Sequence, residues 1–174
     1  MNAKIYFTEF SSPIGPLELR GTDAALTGVF METHRPEPAR TSEAVRDAAP
    51  FRAARGQLEE FFAGERREFS LALAPAGTAF QLAVWQALRA IPYGTTITYG
   101  ELARRIGNPR AVRAVGLANG RNPLSVIVPC HRVIGADGTL TGYSGGLERK
   151  RILLALERHC STPESAPTFP ARAV

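Results

Sequence analysis

The sequence predicts an α+β fold in which a small antiparallel-sheet lobe precedes a mostly helical lobe that contains a helix-turn-helix. Short, partly alternating apolar runs separated by turn residues fill the first part of the chain. Helical periodicity with capping signals fills the second, and Ala74-Pro75-Ala76-Gly77 punctuates the chain between them. At 174 residues the chain can bury one solid core or two small ones. We divide it into a first lobe at 1–76, a second at 77–160, and a tail at 161–174 that is rich in proline and expected to be disordered.

Residues 4–10, 15–21 and 26–32 read as an antiparallel meander, with Pro13-Ile14-Gly15-Pro16 and Thr22-Asp23-Ala24-Ala25 as its turns. A polar, proline-containing loop follows around 34–43. Phe51, Ala54, Leu58, Phe61 and Phe62 then recur at helical spacing, and Gly64 supplies a stop, so a helix over 51–62 should cover one face of the sheet. Residues 68–73 are expected to add a further strand. The second lobe opens at Thr78, whose hydroxyl and the Gln81 side chain form a capping-box pattern ahead of the stripe Phe80, Val84, Leu88 and Ile91. Thr98 and Glu101 repeat that pattern before a helix ending near Ile106. Asn108-Pro109 reads as a cap and first helical position of another, running to about Ala118, which makes the helix-turn-helix. This second helix is small-sided at Ala111, Ala114, Gly116 and Ala118 while Arg110 and Arg113 project charge, a build that suits close approach to a nucleic-acid groove or to a neighbouring helix. Residues 124–128 are apolar and β-branched and read as a buried strand ended by Pro129. The last helix is expected from about Leu147 to Arg158.

That strand would deliver Cys130-His131 to its mouth. A thiol attacks as thiolate, so it needs a neighbouring base or positive field, and His131, Arg132 and a more distant carboxylate can provide these. Net charge is +5 but unevenly spread: residues 1–77 hold 9 Lys/Arg against 11 Asp/Glu, and 78–160 hold 11 against 4. A basic second lobe points to a polyanion partner, because Lys and Arg neutralise phosphates and release counterions. No window has the length of an apolar membrane span, and residues 1–10 lack the build of a signal peptide, so a cytoplasmic protein without membrane contact is expected. Both cysteines, Cys130 and Cys160, are expected to be reduced.

Pro129-Cys130-His131-Arg132-Val133, then Tyr143-Ser144-Gly145-Gly146 and Glu157, resembles the active-site signature of the O6-alkylguanine-DNA alkyltransferases. Tyr99, Arg113 and Asn122 fall in register with functional positions of that family, and the likeness is closest over 80–157. The resemblance implies a ribonuclease H-like first lobe and a repair protein that moves an alkyl group from O6-alkylguanine, with O4-alkylthymine as a further lesion, irreversibly to Cys130 in a single turnover. It implies base flipping, with the second helix of the pair in the minor groove of double-stranded DNA and Arg113 filling the base stack. Tyr99 would crowd the target phosphate and bond the base. Glu157 would orient His131, which draws the Cys130 proton through a bridging water; Glu148 is the rival carboxylate. Ser144 would donate to the O6 position, Val133 and Cys130 would present backbone groups to the exocyclic amine, Tyr143 belongs to the same loop motif, Lys150 would stand near the pocket, and Asn122 would be a hinge.

No cofactor is expected. Some members of that family hold zinc in the first lobe, but residues 1–77 contain no cysteine and only His34, so no metal is expected either. A monomer in solution is the expectation, with cooperative assembly on DNA left open. Two alternatives stand beside this reading. A non-catalytic lesion-recognition module of the alkyltransferase-like kind would carry tryptophan where this chain has Cys130, and a hydrolase using Cys130, His131 and Glu157 would leave the basic helix pair unexplained.

Overall fold

The computed structural model describes residues 3–32, 34 and 42–160. Strands β1 (Tyr6–Ser12), β2 (Gly15–Gly21) and β3 (Leu26–Met31) form the expected meander; the buried residues of β1 and β2 alternate as period-2 strands require, whereas β3 buries the adjacent pair Gly28 and Val29. A short strand that the sequence reading missed, β4 (Val45–Arg46), adds in parallel to β1, giving the order β3-β2-β1-β4. Its two residues are exposed and carry no apolar alternation, so no pattern announces it. Most of the loop expected around 34–43 lies outside the described residues, as does the tail at 161–174.

Helix α1 (Arg52–Phe62), entered through a 3-10 turn at Ala49–Phe51, buries Ala54, Leu58, Phe61 and Phe62. It stops in a Schellman arrangement: Gly64, at φ 77°, donates to the Phe61 carbonyl while Glu65 donates to that of Glu60. Phe61 then meets Phe62, Phe69 and Tyr93 with ring centroids 5.5 to 6.0 Å apart, which ties α1 to the helical part of the chain.

Helix α2 (Ala79–Arg89) begins with the complete capping box expected of Thr78 and Gln81. Strand β5 (Ile97–Thr98) leads into α3 (Tyr99–Arg105), where Thr98 caps the Glu101 amide at 3.1 Å. Only half of that capping box forms, because the Glu101 carboxylate turns to Arg105 at 2.5 Å instead. Helix α4 (Val112–Gly120) packs against α2 and α3 and completes the helix pair. It starts later than the Asn108-Pro109 signal predicts. Asn108 is consumed by the end of α3, its amide donating to the Ala103 carbonyl behind Gly107 at φ 73°, and its own carbonyl then accepts from Ala111 in a turn with Pro109 at the second position.

Two further expectations fail. Residues 68–73 form no strand, only a single bridge between Leu73 and Leu26. Residues 124–128 form no strand either: they bridge once, Leu124 to Val29, and then coil into tight turns, so the buried, β-branched composition reflects enclosure on all sides and not a ladder. These bridges have a common purpose, because both lie along the outer edge of β3. Val29 donates to the Pro123 carbonyl at 2.8 Å and accepts from Ser125 at 3.1 Å, so the sheet holds the segment leading to Cys130 by its backbone. After the turn at Cys130–Arg132, β6 (Val133–Ile134) pairs in parallel with β5, and α5 (Leu147–His159) closes the fold. Among the described residues no helix is long and apolar enough to cross a membrane.

Phe61 is fully buried at the junction of α1 and Tyr93. Phe61→Ala is expected to lower unfolding free energy by about 3–5 kcal/mol, read as a reduced midpoint in urea titration.

Candidate active site

Cys130 begins the 3-10 turn Cys130–Arg132, and the residues before it explain how it is held. Val126 adopts φ 72°, a left-handed conformation that a β-branched residue enters only under constraint. It is the centre of a γ-turn closed by the Ile127 amide on the Ser125 carbonyl at 2.9 Å, and Pro129, at φ -81° and ψ 60°, centres an inverse γ-turn that brings the Cys130 amide to the Val128 carbonyl at 2.8 Å. Asn122 supplies what the missing strand would have supplied. Its Oδ1 accepts from the Leu124 amide at 3.0 Å and its Nδ2 donates to the Val128 carbonyl at 2.8 Å and to Cys130 Sγ at 3.1 Å. Burial pushes the Cys130 thiol up, and the Asn122 bond and the charge of Lys150 oppose that shift.

His131, Arg132 and Glu157 are buried together. His131 Nε2 lies 2.7 Å from Glu157 Oε1, so the nitrogen facing the carboxylate carries the proton and Nδ1 keeps its lone pair. Nδ1 itself has no hydrogen-bond partner among the described residues. Burial pushes the His131 imidazolium down, against the pull of Glu157, which keeps the ring neutral. Arg132 grips Glu157 through Nε at 2.9 Å and a terminal nitrogen at 2.8 Å, and its remaining nitrogen donates to the Ile91 carbonyl at 2.6 Å. The Gly94 amide adds a fourth side at 2.9 Å. Burial alone would raise Glu157, but the bonds with His131 and Arg132 together outweigh it and bring the carboxyl down to about 2. Arg132 therefore neutralises the carboxylate and does not supply the field at the thiol, as the sequence reading allowed; that cation is Lys150. The rival Glu148 is exposed and pairs with Arg151.

The glycine-rich loop folds over this centre. Lys150, fully buried on α5, donates to the carbonyls of Val133 at 2.6 Å and Thr141 at 2.7 Å, and burial brings it down to about 8 while the thiol opposes the shift. The Tyr99 hydroxyl donates toward the carbonyls of Thr141 at 3.1 Å and Gly142 at 3.3 Å. Burial pushes Tyr99 up, contacts with Thr141 and Asn119 offset part of that, and the charge of a Cys130 thiolate adds to it. Tyr143 is raised well above its ordinary value by burial and then by Cys130, so both rings keep their protons beside the sulfur. Tyr143 Oη and Ser144 Oγ are buried without a partner among the described residues. A Cβ at Gly145 would stand 2.1 Å from Met31 Sδ, which is why the loop can pass so close to the end of β3. Arg149 fastens the same loop to the first lobe by donating to the carbonyls of Ile14 at 2.6 Å and Gly145 at 3.0 Å.

Arg113 is not part of this cluster. It is exposed on α4 with Ala114, near Leu117, which is 65% exposed, and Arg110 is exposed in the turn before the helix. The opposite face of the helix carries Gly116, whose Cβ position lies 3.8 Å from the Tyr99 ring, and buried Asn119, whose Nδ2 is 3.4 Å from the Cys130 carbonyl. Contacts thus link Asn122, Cys130 and Tyr99 with the C-terminal half of α4, His131 with Glu157, and Lys150 with Val133, while Arg113 faces outward. Sequence reasoning did not single out Asn119, Gly94 or the clamp made by Arg132; a polar residue on the small-sided helix was the one available signal for Asn119. Among the described residues no group of three or more His, Cys, Asp or Glu side chains is placed to hold a metal ion.

Residues 79–159 match the family profile described as 6-O-methylguanine DNA methyltransferase, DNA binding domain, and residues 5–75 match its ribonuclease-like domain. A methylated-DNA–protein-cysteine methyltransferase of Methanosarcina acetivorans is 53% identical over 156 residues, covering 90% of this chain and 100% of that protein. One of Mycobacterium leprae is 53% identical over 155 residues, covering 89% and 93%. The crystal structure of Mycobacterium tuberculosis OGT in complex with DNA superposes with a TM-score of 0.85 at 52% identity, covering 89% of this chain and 94% of that one.

The ionic cluster gives a pH signature. Glu157 has an ordinary value of 4.5 and a folded value of about 2, so its contribution to stability is present above 4.5 and is lost as pH falls toward 2. In urea titrations from pH 7 to 2, Glu157→Gln should be destabilised by about 3–5 kcal/mol at pH 7, because buried Arg132 loses its partner, and should lose less stability than the wild type below pH 4.5.

Proposed function

The chain belongs to the 6-O-methylguanine DNA methyltransferase family, and from that premise we propose how its own residues perform the DNA repair alkyl transfer. The observation that carries the assignment is Cys130, buried between the Asn122 amide and Lys150, directly beside a histidine that a buried carboxylate holds in one tautomer. Cys130 is the acceptor. His131 Nδ1 takes its proton by way of a solvent water, because Nε2 is committed to Glu157, and Arg132 keeps that carboxylate ionised. The thiolate then displaces the O6 oxygen from the alkyl carbon: the sulfur–carbon bond forms as the carbon–oxygen bond breaks, and the guanine leaves as its electrons return to O6. Tyr99 and Ser144 retain their hydroxyl protons and donate to the departing base. The product is a thioether, whose carbon–sulfur bond water does not cleave at neutral pH, so each molecule reacts once.

Double-stranded DNA carrying O6-alkylguanine is the partner, and O4-alkylthymine is a further lesion. A base inside the duplex cannot reach a fully buried sulfur, so the nucleotide has to leave the stack. Exposed Arg113 on α4 is placed to fill the gap from the minor groove, with Arg110 and Arg121 on the phosphates. Asn122 is the hinge that couples α4 to the thiol, and Val133 and Tyr143 line the pocket. We place the lobe boundary at 76/77 and take the working form to be a monomer in the cytoplasm, a setting that two free cysteines support.

Intact-mass measurement after mixing with methylated duplex should find one added methyl per molecule, on the peptide containing Cys130. Methyl on Cys160, or sustained turnover, would refute the assignment. Cys130→Ser should abolish transfer with DNA affinity largely kept. Arg113→Ala should slow repair of duplex about 10-fold or more while changing reaction with free O6-benzylguanine much less, since only the duplex requires flipping; equal loss on both substrates would remove Arg113 from the flipping step.

A further inference from the structure

A cavity of about 530 Å³ lies between the two lobes, a volume in the range of small-molecule sites. Its apolar wall includes Phe69, Ile127 and Pro129, and Arg67, Glu68, Arg89, Tyr93 and Arg132 supply its polar groups. No residue of α3, α4 or the glycine-rich loop lines it, and neither Cys130 nor His131 does. It is therefore distinct from the pocket of the alkyl transfer and from the face that carries Arg113.

Arg132, 5% exposed, is the buried end of this cavity. Its Nε and one N–H of each terminal nitrogen are engaged by Glu157 and the Ile91 carbonyl. Each terminal nitrogen of a guanidinium carries a second N–H, and these have no partner among the described residues. Unpaired donors on a buried cation cost free energy until an acceptor meets them, and phosphate oxygens do so through charge-assisted bonds. Two further cations share the cavity. Arg89 is exposed on the last turn of α2, with no ion pair among the described residues, and Arg67 stands over the Tyr93 ring at 5.8 Å. Glu68 opposes them with one carboxylate, which disfavours a bare anion and suits a ligand that carries a hydrogen-bond donor at its other end.

We infer that this cavity binds a phosphate monoester joined to an amino-bearing heteroaromatic ring, the chemistry of a nucleoside 5′-monophosphate. The phosphate sits among Arg67, Arg89 and Arg132, the ring lies against Phe69 and Tyr93, and the exocyclic amine faces Glu68. The site is independent of the alkyl transfer but shares Arg132 with it, so an occupant acts on the guanidinium that clamps Glu157.

Calorimetric titration of the full chain with adenosine 5′-monophosphate, inorganic phosphate and adenosine tests this. The nucleotide should bind with a Kd of about 1 mM or below, and at least about 10-fold more tightly than either fragment, because each fragment forgoes one set of contacts. In the wild type, the side-chain N–H resonances of Arg132 should shift on binding. Arg89→Glu should weaken nucleotide binding about 10-fold or more. Arg104→Glu, the same charge change on exposed α3 outside the cavity, should leave it unchanged. No binding to the wild type, equal affinity for inorganic phosphate alone, unmoved Arg132 resonances, or equal losses in the two variants would each overturn the site. None of these outcomes bears on methyl transfer to Cys130, which intact mass reads separately.

Discussion

The buried Glu157 carboxylate is the point on which this half of the molecule turns. It receives His131, one edge of the Arg132 guanidinium and the Gly94 amide, which come from the turn Cys130–Arg132 and from the connection between α2 and β5. Three pieces of chain, α5 included, are therefore located by one charge. A lone carboxylate could not exist there; it is tolerated because a bidentate arginine and a backbone donor replace the water it lost. The arrangement separates two tasks that adjacent residues might be thought to share. Arg132 pays the electrostatic cost of Glu157, and so His131 can remain neutral and keep Nδ1 basic.

Cys130 is positioned by different means. No strand brings Cys130 to its place; two γ-turns do, with Val126 held at φ 72° and the Asn122 side chain acting as a substitute for a neighbouring strand. The cost of this backbone is met by the first lobe. Val29 clamps residues 123–125 from the edge of β3, and Met31, Ile14 and Arg149 brace the glycine-rich loop from the same side. The sheet thus serves as the anvil against which a strained active-site segment is fixed.

Electrostatics at the sulfur follows from this enclosure. Burial disfavours both the Cys130 thiolate and the Lys150 ammonium, and each charge relieves the other when both form. The two tyrosines beside them are driven toward the protonated state, which makes them donors. Helix α4 joins this interior to the outside: one face carries Gly116 and Asn119 toward Tyr99 and Cys130, and the other carries Arg113 and Leu117 to solvent.

Much of this was readable in the chain itself. The meander, α1, the Thr78 capping box and α5 are local events, decided by alternation, helical spacing and caps within a few residues. The clustering of positive charge after residue 77 and the Cys130-His131 pair are equally local. What the sequence could not decide is whatever depends on a distant partner. The strand expected at 124–128 dissolved because Asn122 and β3 satisfy its backbone from outside, and β4, β5 and β6 are too short to show a period at all. The start of α4 moved because Asn108 was already spent on closing α3. Arg132, two residues from the thiol in sequence, turned away to a carboxylate 25 residues on, and the charge at the sulfur came from Lys150 instead. Local propensity sets which residues can form an element, whereas the direction a buried charge faces is set only when the fold has removed its water and left one partner within reach.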